Sequence, residues 1–328
     1  MKIARASSGK TELTEAEYFR ERFLIITADD FGASNNINEG IKIAAEKKAI
    51  TSISVLSNFT DSLPDLKNIS ENNPWISIGV HLNITTGKPI LSTEKIPSLV
   101  SADGNFYTIE ALLSKIKSVS ADELRKELRA QILALAYCDI RLEHLSDHFG
   151  ILSFYSPFFD VVIELAKEFN VPVRTPLIAG IKYPDLFKNS QINKRGRQIA
   201  RRLALNAPLK AISLLKYSRI HEMDKKVHKL DELGILHPDL FIECFWGDPT
   251  PSNFLHILEH LPIGISEVVV HLGTNTSQES YPSGLDLDYF KNRENELITI
   301  TSDYLKEYYN YLNIRTIRFS EISNIKNT

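Results

Sequence analysis

The chain has 328 residues, of which 43% are hydrophobic and 24% are charged, and its formal net charge is −3. This length and apolar content allow one large α/β core or two smaller ones, and they exclude disorder as the main state of the chain. The small net charge excludes a global field that would attract nucleic acid or an anionic membrane, so we expect no nucleic-acid partner.

Residues 1–20 are polar and lack the apolar stretch of a secretory signal, and no run in the chain approaches the ~20 apolar residues of a membrane span. The two cysteines, Cys138 and Cys244, match neither a metal-binding pair nor a disulfide framework, which indicates a reducing compartment. We therefore predict a cytoplasmic protein with no transmembrane segment. Residues 1–20 are expected to form a flexible extension to a single domain over residues 21–328.

Short apolar runs rich in β-branched residues alternate along the chain with longer segments that have apolar residues at helical spacing. Such alternation is typical of βα units around a parallel sheet, and no GxGxxG motif follows the first run, which favours a (β/α) barrel of seven or eight parallel strands over a doubly wound sheet. The predicted strands are Phe23–Thr27, Ser52–Leu56, Ile76–His81, Leu142–Leu145, Val171–Val173, Leu240–Cys244, Ile265–His271 and Ile314–Phe319. The predicted helices are Asn35–Lys48, Ala121–Tyr137, Pro157–Phe169, Pro251–Leu261 and Leu287–Leu312.

The segment between Lys188 and Lys229 is basic, with Lys and Arg far in excess of Asp and Glu. Its interleaved Leu, Ile and Ala predict one or two surface helices, inserted between barrel strands over about residues 183–235. A solvated helix face is the ordinary interpretation of this charge, and a patch for an anionic polymer or membrane surface is the alternative.

Two adjacent carboxylates, Asp29 and Asp30, follow the first predicted strand. Neighbouring residues in a pleated strand point to opposite faces, but a turn at the strand end beside Gly32 lets both side chains reach one cleft. One carboxylate can then bind a metal while the other acts as a base. The alternative is a polar turn that caps the next helix, although two ionised carboxylates repel each other unless a cation or a proton intervenes.

Three histidines, His81, His148 and His271, stand at the carboxyl ends of later predicted strands, where barrel enzymes assemble their sites. One such histidine alone is more often structural than a ligand. Together, one carboxylate and two neutral imidazoles, with water completing the shell, make a normal open site for Zn²⁺ or another divalent ion. His144 precedes His148 by four residues and shares its face of an extended segment, so it is expected below His148 in the barrel.

Several sequence blocks resemble the YdjC-like carbohydrate deacetylases, the group that includes chitooligosaccharide deacetylase. The likeness runs from about Phe23 to Ile317, and its most specific block is ADDFGASNNINEGI, followed by TSISVLSN and SIGVHLNITTGKPI. Further along, HLSDH is similar to the family motif HLDSH, VRTP to its arginine strand, HLG at His271 to its late HPG, and RENEL to its final helix.

The resemblance implies an irregular TIM-like barrel and an enzyme that removes the acetyl group from an N-acetylated sugar of the N-acetylglucosamine type. It implies that Asp30, His81 and His148 hold one divalent ion, Zn²⁺ or Mg²⁺. Asp29 would act as the general base toward a metal-activated water, and His271 as an acid or a stabiliser of the transition state. We expect the substrate to contact Asn83, Arg174 and Trp246.

The chain departs from the family pattern at three places. Ser146 and Asp147 invert the usual Asp-Ser order, Phe149 and Gly150 stand where the family often has further histidines, and Leu272 replaces a proline. Two other functions therefore stay open. One is a glycoside hydrolase that uses the carboxylate pair, although adjacent residues are awkward for two groups that must flank a bond from ~5 Å or more. The other is a catalytically inactive sugar-binding barrel. A homodimer is compatible with the sequence.

Overall fold

The computed structural model describes residues 21–187, 201, 214, 217, 219–245, 248–275 and 287–326. The predicted extension over residues 1–20 lies outside the described residues, and so does most of the predicted basic insertion. Trp246 lies outside them as well.

The described chain alternates between strands and helices. The strands are β1 (Arg22–Phe31), β2 (Ser52–Val55), β3 (Ser77–Leu82), β4 (His144–Asp147), β5 (Leu240–Ile242), β6 (Gly264–Val270) and β7 (Ile314–Thr316). The helices are α1 (Asn35–Glu46), α2 (Leu63–Asn72), α3 (Ile109–Lys115), α4 (Ala121–Tyr137), α5 (Ile151–Phe154), α6 (Ser156–Phe169), α7 (Ala179–Lys182), α8 (Ile220–Glu232), α9 (Pro251–Glu259), α10 (Leu287–Ile300), α11 (Tyr304–Tyr311) and α12 (Ile322–Lys326). The predicted helix Leu287–Leu312 is thus two helices.

The strands form one parallel sheet in the order β4-β3-β2-β1-β6-β5, with β7 paired to the first residues of β1. This confirms the prediction of a parallel α/β architecture. The predicted strand Val171–Val173 is not a regular strand, because only a single bridge joins Val173 to Leu145. A second bridge joins Ile178 to Phe241 of β5, so the segment 173–178 spans the gap between the two outer strands of the curled sheet. Prolines at 172 and 176 lack the amide hydrogens that a regular ladder needs.

Strand alternation sorts the side chains of the sheet into two layers. Leu24, Ile26 and Ala28 of β1 join the main apolar core, which the helices cover. The intervening residues of β1 point to the other side, into the curl of the sheet. There the lowest layer is a separate apolar group, called here the floor cluster, formed by Phe23, Ile25, Ile265, Ile317, Phe319 and Ile322.

Above the floor cluster, the inner face of the sheet is polar and buried. Its inward positions carry Thr27, Ser52, Ser54, Ser77, His81, His144, Ser146 and Glu267. Burying polar side chains costs free energy of folding unless they form hydrogen bonds or ion pairs. Such a concentration of them therefore indicates that this face carries a functional site.

Helix α1 fixes the loop after β6. The helix begins at Ser34, whose hydroxyl accepts a hydrogen bond from the Ile37 amide at 3.3 Å. At Gly40 the helix touches the backbone of Gly273 so closely that a Cβ would lie 2.6 Å from it. The loop that carries His271 is thus held directly against α1.

No single helix in the described part of the chain is long and apolar enough to cross a membrane. The pair His148–Phe154 and Ser156–Phe169 meets the length and composition criteria only when joined, and the pair is bent by 97°.

Candidate metal centre

A bulge in β1 turns two adjacent carboxylates toward one point. Ala28 pairs with Ile53 and Phe31 with Val55, so two residues of β1 stand opposite the single residue Ser54 of β2. The second of them, Asp30, has a φ of 73°, in the left-handed region. The extra residue cancels the normal alternation, and both Asp29 and Asp30 face His81.

Asp30, His81 and His148 form the only group of at least three potential metal ligands found within the described residues, with one ligand atom of each lying within 4.8 Å of the others. The Nδ1 atom of His148 is 3.1 Å from Asp30 Oδ1, and the Nε2 atom of His81 is 3.5 Å from the same oxygen. All three side chains are buried. They come from β1, from β3 and from the turn after β4, so three strand ends build the group.

The far nitrogen of each imidazole meets a hydroxyl group. His81 Nδ1 lies 2.8 Å from Ser146 Oγ, and His148 Nε2 lies 3.1 Å from Thr86 Oγ1. These contacts leave His81 Nε2 and His148 Nδ1 directed toward Asp30, the arrangement in which a metal-binding histidine uses its other nitrogen for orientation.

Burial and charge give Asp30 and His81 the protonation states that a cation requires. Burial lowers the pKa of His81 to about 3, and the nearby Asp29 offsets only part of this effect, so the ring is neutral at pH 7. Burial alone would raise the pKa of Asp30, but Arg293 and His148 hold it well below its usual value, so the carboxylate is ionised. One ionised carboxylate and two imidazoles are a ligand set that fits a divalent metal ion.

Asp29 is paired with Arg174, which follows β4 in the segment 173–178. Nη1 and Nη2 of Arg174 donate hydrogen bonds to the two carboxylate oxygens of Asp29 at 2.7 and 2.9 Å. The same guanidinium donates to Glu267 Oε1 of β6 at 2.8 and 3.1 Å, and it lies over the ring of Phe241. Burial acts to raise the pKa of Asp29, yet the charge of Arg174 holds it well below its usual value.

Helix α10 holds the other side of the site through residues three apart. Arg293 donates to Asp30 Oδ2, the oxygen that does not face the histidines, and also to the Leu272 carbonyl. Glu296 accepts a hydrogen bond from the His271 amide at 2.6 Å. Burial lowers the pKa of His271 to about 4, although the charges of Asp30 and Asp29 oppose this shift. His271 is therefore neutral at pH 7.

Asn83 is fully buried and organises the loop after β3. Its Oδ1 atom accepts hydrogen bonds from the amides of Thr85 and Thr86, both at 3.0 Å, and its Nδ2 atom donates to the Thr86 carbonyl at 2.7 Å. The loop in turn brings the Thr86 hydroxyl to His148. Asn83 and Arg174 both lie at the site, and their side chains are bound to other residues of the chain.

Four residues that the structure brings to the site have no role that the sequence predicts: Glu267, Arg293, Glu296 and Thr86. Glu267 carries a usable signal, because a carboxylate within the apolar run ISEVVV is out of place in a buried strand. Arg293 and Glu296 have no local signal, since their spacing is equally typical of a solvated helix face.

Comparison with known proteins places these observations in a family. The model of the family described as YdjC-like protein matches residues 23–311. A protein named carbohydrate deacetylase from Brevibacillus brevis is 26% identical over 307 residues, which cover 91% of this chain and 99% of that protein. Another of the same name, from Halalkalibacterium halodurans, is 35% identical over 153 residues, 46% of this chain and 63% of that protein.

A crystal structure of a proposed cellobiose-phosphate cleavage protein from Enterococcus faecalis V583 has the same fold. It matches with a TM-score of 0.71 at 22% identity, over 92% of this chain and 98% of that one.

Proposed function

The chain belongs to the YdjC-like protein family, and from that membership we propose that it is a metal-dependent carbohydrate deacetylase, which removes the acetyl group from an N-acetylated sugar by hydrolysis. The observation that carries the proposal is the buried group Asp30, His81 and His148, with the carboxylate of Asp29 beside it. The relatives named carbohydrate deacetylase support the choice of substrate class.

Asp30, His81 and His148 would hold one divalent ion. When bound, the ion would polarise the acetyl carbonyl and lower the pKa of an attacking water. Both Zn²⁺ and Mg²⁺ stay candidates, although two imidazoles among three ligands favour Zn²⁺ over Mg²⁺, which prefers oxygen ligands.

Asp29 is our candidate for the general base, which accepts the proton of the attacking water. Its carboxylate is ionised, as a base must be, and its Oδ2 atom lies 3.6 Å from His81 Nε2, next to the ligand group. The pair with Arg174 lowers the pKa of Asp29 and so weakens it as a base, and the same guanidinium also binds Glu267. We propose that Arg174 acts on the substrate through Asp29, by holding both of its oxygens in place.

The leaving amine requires a proton when the amide bond breaks, and the proton that Asp29 has accepted can supply it. His271, whose ring is neutral at pH 7, is assigned to donate a hydrogen bond to the developing negative charge, because a neutral imidazole is a poor acid. Asn83 is assigned to the support of the Thr86 loop beside His148. Substrate contact by Trp246, the cytoplasmic location and the homodimer stay predictions from the sequence.

A glycoside hydrolase is disfavoured by the position of the two carboxylates. Asp29 Oδ2 and Asp30 Oδ1 lie 3.6 and 3.5 Å from the same atom, His81 Nε2, so the two carboxylates converge on one histidine. A glycosidase needs its two carboxyl groups on opposite sides of the scissile bond.

A screen for acetate release tests the proposal. The chain would be stripped with a chelator, reloaded separately with Zn²⁺, Mg²⁺, Mn²⁺ or Co²⁺, and offered N-acetylglucosamine oligosaccharides. We expect acetate release that depends on added metal, with no new reducing ends. Release of reducing ends without acetate would instead support a glycosidase, and sugar binding with neither product would support an inactive barrel.

A further inference from the structure

A line of hydrogen-bonding side chains runs from His81 down the inner face of the sheet to His144. The Ser146 hydroxyl lies 2.8 Å from His81 Nδ1, and it also lies 2.9 Å from Ser54 Oγ on β2. Ser54 Oγ in turn lies 3.2 Å from His144 Nε2. All four side chains are buried. These four residues, called here the relay, connect a candidate metal ligand to a histidine that the proposed mechanism does not use.

The far end of the relay is held rigidly. The ring of His144 stacks on Phe319 of the floor cluster, with 4.0 Å between centroids and planes 6° apart. On its other side, Gly79 makes room, because a Cβ there would lie 2.4 Å from His144 Nδ1. Burial lowers the pKa of His144 to about 3, so the ring is neutral at pH 7 and has one nitrogen that accepts a hydrogen bond.

Each hydroxyl group donates one hydrogen bond, so if both serines donate within the relay, only two directions are internally consistent. In the first, His81 Nδ1 carries hydrogen and donates to Ser146, Ser146 donates to Ser54, and Ser54 donates to His144 Nε2. In the second, every bond is reversed and His81 carries its hydrogen on Nε2. A metal requires the lone pair of Nε2, and only the first direction supplies it.

We propose that Ser146, Ser54 and His144 are positioning residues for the metal centre, which fix His81 in the form with hydrogen on Nδ1 by providing a chain of acceptors that ends at His144 Nε2. The inference rests on the metal site of the proposed function and extends it to residues outside the ligand group. The alternative acceptor for Ser146, the Val80 carbonyl, is 3.5 Å away, farther than Ser54.

The relay takes the place of the carboxylate that commonly accepts a hydrogen bond from a metal-binding histidine. Metal-binding histidines commonly donate their second N–H to a carboxylate or a carbonyl, which orients the ring. Here the neighbouring carboxylate, Asp147, points away from His81 and accepts hydrogen bonds from the Ser153 amide and hydroxyl, both at 2.9 Å. Because strand neighbours face opposite ways, the order Ser146-Asp147 leaves only a hydroxyl for His81, and a hydroxyl needs an acceptor of its own.

The test compares Ser54→Ala with Ser52→Ala. Both serines lie on β2, both are fully buried, and both hydroxyls face His144 Nε2, at 3.2 and 3.5 Å. Only Ser54 also contacts Ser146. Zn²⁺ affinity would be measured on the whole chain by competition with a chromophoric chelator, and the protonated nitrogen of His81 would be identified by ¹⁵N NMR of the Zn²⁺-loaded protein.

We expect Ser54→Ala to weaken Zn²⁺ binding on the order of tenfold, and His144→Phe to do the same, since orienting partners of metal ligands typically contribute 10- to 100-fold in affinity. Ser52→Ala should bind Zn²⁺ as the unchanged chain does. Equal affinities for Ser54→Ala and Ser52→Ala would overturn the relay while leaving the metal site intact. Failure of the unchanged chain to bind any divalent ion would overturn both the relay and the metal site.

The NMR measurement separates orientation from general loosening of the structure. In the Zn²⁺-loaded unchanged chain, we expect hydrogen on His81 Nδ1 and on His144 Nδ1, with His144 Nε2 accepting. Hydrogen on His144 Nε2 in that state would contradict the direction of the relay. Circular dichroism melts of each variant would verify that the chain remains folded.

Discussion

Asp29 and Asp30 are adjacent in the chain, yet each points one oxygen at His81 Nε2, at 3.6 and 3.5 Å. Their partners differ, because Arg174 binds both oxygens of Asp29 while Arg293 binds only the far oxygen of Asp30. Both oxygens of Asp29 therefore accept hydrogen bonds from Arg174, whereas Asp30 keeps its Oδ1 atom directed toward the histidines. This asymmetry is the structural basis for assigning the metal to Asp30 and proton transfer to Asp29.

The first prediction separates these two roles by substitution. Asp29→Asn should keep the metal and lower turnover by about 10²- to 10⁴-fold, the usual contribution of a general base. Asp30→Asn should release the metal. Metal content by atomic emission and acetate release would be measured on both variants. Metal lost from Asp29→Asn and kept by Asp30→Asn would exchange the roles.

The second prediction concerns Arg174. Arg174→Lys keeps the charge but cannot bind Asp29 through two nitrogens while also reaching Glu267. We expect kcat to fall by about 10- to 100-fold, with little change in KM and in metal content, because a misplaced base affects the chemical step. Steady-state kinetics would show the split. A rise in KM at unchanged kcat would instead indicate that Arg174 contacts the substrate directly.

The third prediction concerns Arg293 and the effect of a metal ion on thermal stability. Arg293→Met leaves Asp30 buried without its cationic partner, which should destabilise the metal-free chain by about 3–5 kcal/mol. A divalent ion then supplies the missing positive charge. The increase in Tm on adding Zn²⁺ should therefore be larger for Arg293→Met than for the unchanged chain, as differential scanning fluorimetry can measure. Equal increases in Tm for the two chains would show that Arg293 does not compensate the negative charge of Asp30.

The fourth prediction is a pH dependence of stability that originates at His144. Burial lowers its pKa from 6.5 to about 3, so between these pH values the unfolded chain binds more protons at this residue than the folded chain does. Its neutral, buried state therefore becomes unfavourable as the pH falls through this window, and the free energy of unfolding decreases by about 3 to 5 kcal/mol in total.

His144→Phe removes this titration and keeps a ring against Phe319. Its free energy of unfolding, measured by urea titration from pH 7 to pH 4, should decrease less than that of the unchanged chain. Two curves that run parallel over this range would contradict the assignment. Metal-free protein is required, because a bound ion would add its own pH dependence.

The fifth prediction concerns the close contact between α1 and the loop after β6. Gly40→Ala would place a Cβ 2.6 Å from the Gly273 backbone, which must then move. We expect a loss of about 1–3 kcal/mol in the free energy of unfolding, the usual result of overpacking. The matched control is Lys42→Ala, an exposed position on the same helix, which should change the value by less than about 0.5 kcal/mol. Equal changes in the free energy of unfolding for the two variants would show that the loop after β6 can move to accommodate the added methyl group.

Much of the site follows from where the strands end. The sequence predicts that His81 and Asp30 meet, because the carboxyl ends of neighbouring parallel strands share one rim, and the structure brings them to 3.5 Å. It also predicts that His144 and His148 share a face of one extended segment, but the structure ends β4 at Asp147 and places His148 in the turn that follows. Both predictions follow from the periodicity of residues along the strands and helices, which can be recognised in a single sequence.

The rest depends on register and on distant contacts, which periodicity does not contain. The bulge at Asp30 appears only when β1 is paired with β2. Arg293 binds Asp30 across 263 residues of sequence, and no local pattern on α10 distinguishes it from a surface arginine. The sequence predicts a strand over Val171–Val173, but the prolines at 172 and 176 leave only isolated bridges from this part of the chain to β4 and β5.

The floor cluster has a consequence for how activity arises during folding. Phe319, which supports His144, comes from a segment almost 300 residues after Asp29, so part of the lowest layer of the site is supplied from near the end of the described chain. A nascent or shortened chain that already contains Asp30, His81 and His148 would still lack this support. Zn²⁺ affinity should consequently reach its full value only after this last segment has folded against the sheet.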